Sequence, residues 1–319
     1  MNARFWKRWG GFFFILPWVV GFFLFTIGPL IASAHYSLLD WDMLAAPRNV
    51  GLQNYRDLFV NPDFTWSLWR TALYALMAVP VTMLGSLLVA MLLNQKVPGI
   101  TIFRTVYYLP AVTSGVAMMI LWKLLFRPDT GPVDWALTKT GVYGALMAHW
   151  IPGFTLHGGF HFQWFPLLDA QPGWLSSPDW ALQTMVLLSV WGLGSGMIIY
   201  LAGLQGIPDH LYEAAELDGS GAWGKFINVT IPMLTPTIFF NLIMNTIGAF
   251  QAFDQAYILS SGLGGPSRSL LMYVLLAYNT AFKFLKIGPA AAMAWVLFFI
   301  ILALTAINFY VGKKWVHYD

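Results

Sequence analysis

Apolar residues in this chain gather into six runs without a single charged side chain, at approximately Gly11–Ala34, Thr71–Gln95, Thr105–Trp122, Trp180–Pro208, Phe226–Phe253 and Ile287–Gly312. Each holds about 18 residues or more, enough for a helix to cross a hydrocarbon core of roughly 30 Å. The pattern predicts an all-α membrane protein with six transmembrane helices. The first run follows Arg4, Lys7 and Arg8, as a secretory leader would. It is longer than a leader's apolar segment, and no small-x-small cleavage site follows it closely. It reads as an uncleaved span, with Tyr36 and Trp41 at its interface.

The connections carry the topology. Arg4, Lys7 and Arg8 precede the first span, Lys96 and Arg104 flank the short loop between the second and third, and Lys313 and Lys314 follow the sixth. With an even number of spans these basic residues all face the cytoplasm, so residues 1–10 and 313–319 are cytoplasmic and 11–312 form the transmembrane domain. The segment Gly51–Phe59, GLQNYRDLF, predicts a short surface helix entered from a turn. Within Lys123–Asp179, the part Thr140–Leu168 is uncharged and long enough to cross. Pro152, Gly153, Gly158, Gly159 and Pro166 would break a lipid-exposed helix there, and a seventh span would split the termini, so it reads as an external loop. Ser269–Phe282 is apolar but only about 14 residues long, which predicts a re-entrant or interfacial helix.

One polar island interrupts the apolar runs, from Glu213 to Pro236: EAAELDGSGAWGKFINVTIPMLTP. It predicts two helical pieces hinged at Gly219. Asp209 is expected to cap the first piece, Glu213 to favour its first turn, and Gly219 to end it in the left-handed conformation. Ala214 and Ala215 keep one face small enough for another protein's backbone to approach. The second piece, roughly Ala222–Val229, is expected to stop before Pro232.

Composition agrees with the membrane reading: 58% of residues are hydrophobic and 10% charged, against about 25% charged in soluble domains. The net charge of +3 follows from membrane topology and implies no nucleic-acid partner. The absence of cysteine excludes disulfides and thiolate metal sites. No GxxxxGK[ST], GxSxG, HExxH or CxxC occurs, so neither a phosphate-cradling loop nor a catalytic constellation is legible. Gly262, Gly264 and Gly265 read as a turn. His149, His157 and His161 could suggest a metal, but Gly158-Gly159 lies between the last two and no carboxylate is near them before Asp169; they read as loop histidines.

Polar groups inside spans are costly in lipid and face a cavity or a partner helix. Asn241 and Asn245 sit one turn apart in the fifth run, on a face shared with Ala252, and Gln251 and Asp254 lie at its end. They are expected either to line a passage or to bond between helices. The fourth run offers Ser189, Trp191, Ser195 and Tyr200, with Gly192, Gly194 and Gly196 suggesting close packing or a bend. Asn241, Asn245, Gln251, Asp254, Trp191 and Tyr200 are the candidate solute-pathway residues.

The order EAA, Asp218-Gly219, Phe226, Ile231-Pro232 and Pro236 closely resembles the cytoplasmic coupling loop of binding-protein-dependent ABC importer permeases. The stretches LAGLQGIPDHLYEAAELDGSG, FRTVYYLPAVTSGVAMMILWKLLF and FDQAYILSSGLGGP resemble the carbohydrate-uptake class, in particular the first of its two permease subunits. Maltose and glycerol-phosphate importers are similar. The resemblance covers nearly the whole chain and implies a coupling loop at 209–232, with Glu213, Ala214, Ala215, Asp218 and Gly219 serving ATPase coupling. It further implies a second permease subunit in a heterodimer, a dimer of ATP-binding subunits carrying ATP-Mg, and an extracytoplasmic solute-binding protein that delivers a sugar. This chain would bind no cofactor and catalyse nothing, and it would lie in a prokaryotic inner membrane. A secondary transporter would instead show inverted repeats and intramembrane carboxylates or broken helices for ion coupling, and no acidic residue lies deep in any run; a membrane-embedded enzyme would need a catalytic constellation. Two departures from the class stand out. Val142–Leu175 is longer than usual, which could alter contact with the binding protein. Ser260-Ser261 replaces Thr-Gly before the glycines and is expected to change little.

Overall fold

The computed structural model describes residues 3–95, 97–128, 130–140, 154–156, 160–162 and 173–316. Helix α1 (Ala3–Phe22) continues through a π-turn at Phe23–Ile27 into α2 (Gly28–Tyr36). Strands β1 (Leu39–Asp40) and β2 (Arg48–Asn49) precede α3 (Gln53–Val60), α4 (Pro62–Leu93), α5 (Ile100–Val112), α6 (Gly115–Leu125) and α7 (Pro132–Lys139). Strands β3 (Phe154–Leu156) and β4 (Phe160–Phe162) pair antiparallel, Phe154 opposite Phe162. Then come α8 (Ala181–Ser189), α9 (Leu193–Gln205), α10 (Asp209–Leu217), α11 (Ala222–Lys225), α12 (Ile231–Phe250), α13 (Asp254–Leu259), α14 (Tyr273–Tyr278) and α15 (Ile287–Gly312).

Five stretches are long and apolar enough to cross a membrane: Phe14–Tyr36, Pro62–Leu93, Ala181–Gln205, Ala222–Leu259 and Ile287–Gly312. The third expected span differs from a simple helix. It is the pair α5 and α6, bent by 94° at the break between them. Pro110 withholds a backbone donor near the end of α5, and Thr113 (φ −74°, ψ 153°) and Ser114 (φ −59°, ψ 118°) leave helical geometry. The Thr113 hydroxyl donates to the Pro110 carbonyl at 2.7 Å, satisfying one of the freed acceptors.

The second piece of the polar island does not stop before Pro232. From Ala222 the helix runs through a π-turn at Phe226–Thr230 straight into α12. In that turn the Ile231 N–H bonds to the Phe226 carbonyl, five residues back. The wider register moves the preceding carbonyls away from the place where a proline ring would collide with them. Pro236, further along α12, cannot bond to the Pro232 carbonyl, and the Thr235 hydroxyl donates to that oxygen instead at 2.7 Å.

The chain forms two compact units, 1–64 with 277–299, and 65–276 with 300–319. In the first, α3 is the short helix expected at Gly51–Phe59, entered through Gly51 at φ +58°. Its buried Asn54 donates to the carbonyls of Ser37 and Leu39, both at 2.9 Å. The start of α15 comes so close to β1 that a Cβ at Gly288 would overlap the Leu39 carbonyl oxygen.

In the second unit, Leu87, Ala90, Leu93, Met197, Tyr200, Leu201, Leu204, Ile207 and Leu234 bring α4, α9 and α12 into one core. Gly194 lets the α9 backbone rest against the Tyr107 carbonyl of α5, and a Cβ on Gly196 would press on Ser86 Oγ of α4 at 2.7 Å. Gly192 has nothing within 4 Å and belongs to the 3-10 turn between α8 and α9. The glycines of the fourth run thus serve both packing and a bend. Arg104 donates to the Leu93 carbonyl at 2.9 Å and so closes the end of α4. In the segment Ser269–Phe282 the helix begins only at Tyr273; Leu270, Met272 and Tyr273 before and at its start are fully buried.

The glycine-rich patch is a turn, with Gly262, Gly264 and Gly265 at φ between +75° and +85°. Ser261 also lies at φ +55°, a conformation that glycine adopts more readily. Lys123 Nζ donates to Ser261 Oγ at 2.6 Å and to the Ile258 carbonyl at 3.1 Å, a compensation that glycine could not provide. Lys96, His149, His157, Asp169 and the helix-breaking Pro152, Gly153, Gly158, Gly159 and Pro166 lie outside the described residues.

Candidate functional site

The break between α5 and α6 opens onto a cavity of about 810 Å³ inside the second unit. Non-helical backbone at membrane depth is tolerated where it lines such a space. From α4 the lining takes Tyr74, Thr82 and Ser86; from the break, Pro110, Thr113 and Gly115; from α8 to α9, Ser189, Trp191 and Ser195. The end of α12 and the start of α13 supply Asn241, Asn245, Gln251, Asp254 and Gln255. The volume falls within the roughly 300–1,000 Å³ of ligand pockets. Hydroxyls and amides offer donors and acceptors together, and among the described residues no Lys, Arg or His belongs to the lining.

Five of the six candidate pathway residues meet here: Asn241, Asn245, Gln251, Asp254 and Trp191. Tyr200 does not; it is 1% exposed within the core. Asn241 is 2% exposed and donates back to the Thr237 carbonyl at 2.9 Å. Asn245 donates to the Asn241 carbonyl at 2.8 Å, and its Oδ1 lies 3.3 Å from Thr82 Oγ1. Both therefore line the cavity, and Asn245 also ties α12 to α4. Trp191 is 44% exposed and meets Trp122 edge to face, with centroids 5.3 Å apart.

Tyr74, Thr82 and Ser86 were missed by sequence reasoning. With Ala78 they repeat every four residues along α4, a polar stripe at helical spacing within a charge-free run. Tyr74 donates from its hydroxyl to Gln255 Oε1 at 2.9 Å. The lining from the break was hidden because the third run reads as one unbroken span.

The polar island forms α10, whose bounds differ from expectation at the front. Pro208, extended at φ −64° and ψ 132°, occupies the cap position with no side-chain cap, so Asp209 is the first helical residue and does not cap. Its charge still suits the positive end of the helix. Glu213 lies beyond the first turn, where that effect has faded. The other end matches the sequence reading. Asp218 closes the helix, and Gly219 follows at φ +81°. The Gly219 N–H bonds to the Glu216 carbonyl at 3.0 Å and the Ser220 N–H to the Ala215 carbonyl at 2.9 Å. These are the paired bonds of a Schellman turn.

The two alanines face different ways. Ala215 is half-buried on the inner side with Leu211 and Tyr212, whereas Ala214 is exposed beside His210, Glu213 and Leu217, the last 90% exposed. Glu216 bonds to Lys225 Nζ at 2.7 Å, and this hydrogen bond, reinforced by the lysine's charge, holds its carboxyl below the ordinary value of 4.5. Among the described residues no group of three or more His, Asp or Glu side chains could hold a metal ion.

Residues 60–317 match the family described as "binding-protein-dependent transport system inner membrane component". The chain is 39% identical to the "Probable ABC transporter permease protein YesP" of Bacillus subtilis, over 97% of this chain and 92% of that one. It is 33% identical to the lactose transport system permease protein LacF of Rhizobium radiobacter, over 95% of this chain and 94% of that one. In fold it is similar to a chain of a bacterial ABC transporter involved in the import of the acidic polysaccharide alginate. The TM-score is 0.77 at 18% identity, covering 98% of this chain and 99% of the other.

Proposed function

The chain belongs to the family of binding-protein-dependent transport system inner membrane components, and from that premise we propose that it is one permease subunit of an ATP-driven importer of a sugar or oligosaccharide. It forms half of the translocation pathway beside a second, different permease. A dimer of ATP-binding subunits docks on the exposed face of α10, and a solute-binding protein delivers the sugar on the opposite side. With six crossings, the third broken between α5 and α6, this reading has both termini and the loop 209–232 in the cytoplasm. ATP-Mg is bound and hydrolysed by the partners, not by this chain.

One observation carries this reading. The helix that leaves the α10 loop at Ala222 is the same rod that lines the cavity at Asn241 and Asn245. At 1.5 Å per residue, the 23 steps from Ala222 to Asn245 span about 35 Å. A displacement that closure of the ATPase dimer delivers to Ala222 is therefore carried to the cavity wall without a flexible joint between. The cavity itself suits a polyhydroxy solute: Asp254 accepts from hydroxyls, Gln251, Asn245 and Gln255 both donate and accept, and Trp191 offers an apolar face. An anionic group on the solute would find no cation among the described lining residues.

The test is co-purification. An affinity-tagged chain is expected to carry a second permease and an ATPase in fixed stoichiometry, and reconstituted transport is expected to require ATP. Sugar transport by the lone chain, or a complex without an ATPase, would overturn the reading.

A further inference from the structure

The turn between α10 and α11 is intrinsically soft. Gly219 and Gly221 flank Ser220, and at neither glycine would a Cβ meet any atom within 4 Å. Apart from the two Schellman bonds and Ser220 against Gly224, the glycines leave the turn's angle to contacts made from outside it. Two side-chain contacts span it. On the inner side the Tyr212 hydroxyl lies 3.1 Å from Thr230 Oγ1, bridging α10 to the π-turn. On the outer side Lys225, the last residue of α11, reaches back nine positions to Glu216 in the last turn of α10, at 2.7 Å. The lysine side chain is about a quarter exposed and the glutamate about seven-tenths exposed. The two contacts leave α10 one turn apart, from its fourth and eighth residues, so together they tie its second half to the segment after the turn.

Resting on the docking role proposed for α10, we infer that Glu216 and Lys225 are positioning residues of coupling. Their ion pair braces the Gly219 hinge, so that α10 and the 222–250 helix move as one lever. Without the brace the ATPase still binds the Ala214 face, but part of its motion is absorbed at the hinge. An exposed ion pair contributes modestly, so the loss is graded: about a two- to fivefold effect in a quantity that depends on hinge angle.

The experiment uses the intact complex in lipid. This chain has no cysteine, so Asp209→Cys and Ile227→Cys accept a pair of spin labels across the hinge, both clear of the Ala214 face. Three quantities are measured: the label–label distance distribution, the ATPase bound per permease, and the ATP hydrolysis stimulated by the solute-binding subunit. Glu216→Gln and Lys225→Met are each expected to broaden the distribution, leave bound ATPase unchanged, and lower stimulated hydrolysis about two- to fivefold. The swap Glu216→Lys with Lys225→Glu is expected to restore the narrow distribution and the hydrolysis rate. Unchanged distance and hydrolysis in both single variants overturn the inference. So does loss of bound ATPase in Glu216→Gln that the swap fails to restore, since Glu216 would then touch the partner directly. Ala214→Trp in the same series separates the two ideas. If it retains full ATPase binding, the docking role fails, while the distance distributions still decide whether the pair braces the hinge.

Discussion

Substitution of Gly219 separates the aim of the loop from its contacts. Its φ of +81° places it in the left-handed region, where the Cβ of an L-residue crowds the following carbonyl at a cost of roughly 1–2 kcal/mol. A Cβ built there meets nothing within 4 Å, so no collision adds to that figure and the penalty is one of backbone conformation alone. One to two kcal/mol shifts the closed-to-open ratio of the turn by about 5–30-fold. Gly219→Ala is expected to show this shift, Gly219→Asn less because asparagine visits the region more readily, and Gly219→Val most because branching at Cβ tightens the clash. Opening the turn frees the Ala215 and Glu216 carbonyls and lets α10 swing off its line to α11. The loop is exposed, so membrane abundance should stay near wild type while bound ATPase and ATP-driven uptake fall together, in the order Val, Ala, Asn from worst to mildest. A Val variant with full association and coupled uptake would refute the reasoning. Abundance falling in step with uptake would also refute it, by making the turn a folding element.

Other outcomes follow from the cavity and the helix contacts. Asn245→Ala should impair uptake at near-normal abundance, whereas Asn241→Ala, deeper in the wall, should lower thermal stability by about 1 kcal/mol; normal transport by the double variant would remove both from the pathway. Gly194→Ala would push a methyl into the Tyr107 carbonyl and should cost about 1–3 kcal/mol, read as a lower melting midpoint in detergent. Gly192→Ala, with open space around it, is the matched control and should not shift the midpoint downward. The Glu216–Lys225 brace has a definite pH dependence. Its carboxyl titrates below the ordinary 4.5, so its contribution is complete above that value and is lost as pH falls through the lower, folded-state pKa. Spin-label distances across the hinge should therefore be the same at pH 7.5 and 5.5, and a broadening between those values would contradict the assignment.

The membrane architecture was legible because lipid imposes a simple rule: charge-free runs of sufficient length must be helices. The Schellman turn at Gly219 was legible for a similar reason, since an Asp-Gly after a helical stretch leaves few local alternatives. The front of the same helix was not. Asp209 and Pro208 compete for the cap, and proline's fixed φ with an extended ψ settled it in a way that the preference of aspartate for caps does not foretell. The cavity was half legible. Asparagines one turn apart in an apolar run stand out, whereas Tyr74, Thr82 and Ser86 are individually ordinary in a transmembrane helix and gain meaning only as a stripe. Tyr200 failed the opposite way: a polar tip in a span marks a cavity only if the helix turns it there, and α9 turns it into the core.

The two prolines that mattered most pulled in opposite directions. Pro110 sits in a run whose length and composition ask for one straight span, yet the helix ends two residues later and the chain bends by 94°. Pro232 sits where the usual rule ends a helix, yet the helix passes through it. The difference lies in what neighbouring groups can do for the backbone. After Pro110 the chain reaches Thr113, Ser114 and Gly115, small or self-bonding residues beside a cavity that accommodates freed polar groups. Before Pro232, a π-turn re-registers the carbonyls, and Thr230 and Thr235 supply hydroxyls on either side of it. Had Pro232 ended the helix, the loop at α10 and the polar face at Asn241 and Asn245 would belong to separate elements joined by a flexible link. Because it does not, Ala222, where the chain leaves the α10 turn, and the cavity wall are two ends of one continuous helix. That continuity depends on a single wide turn that local propensity could not have announced.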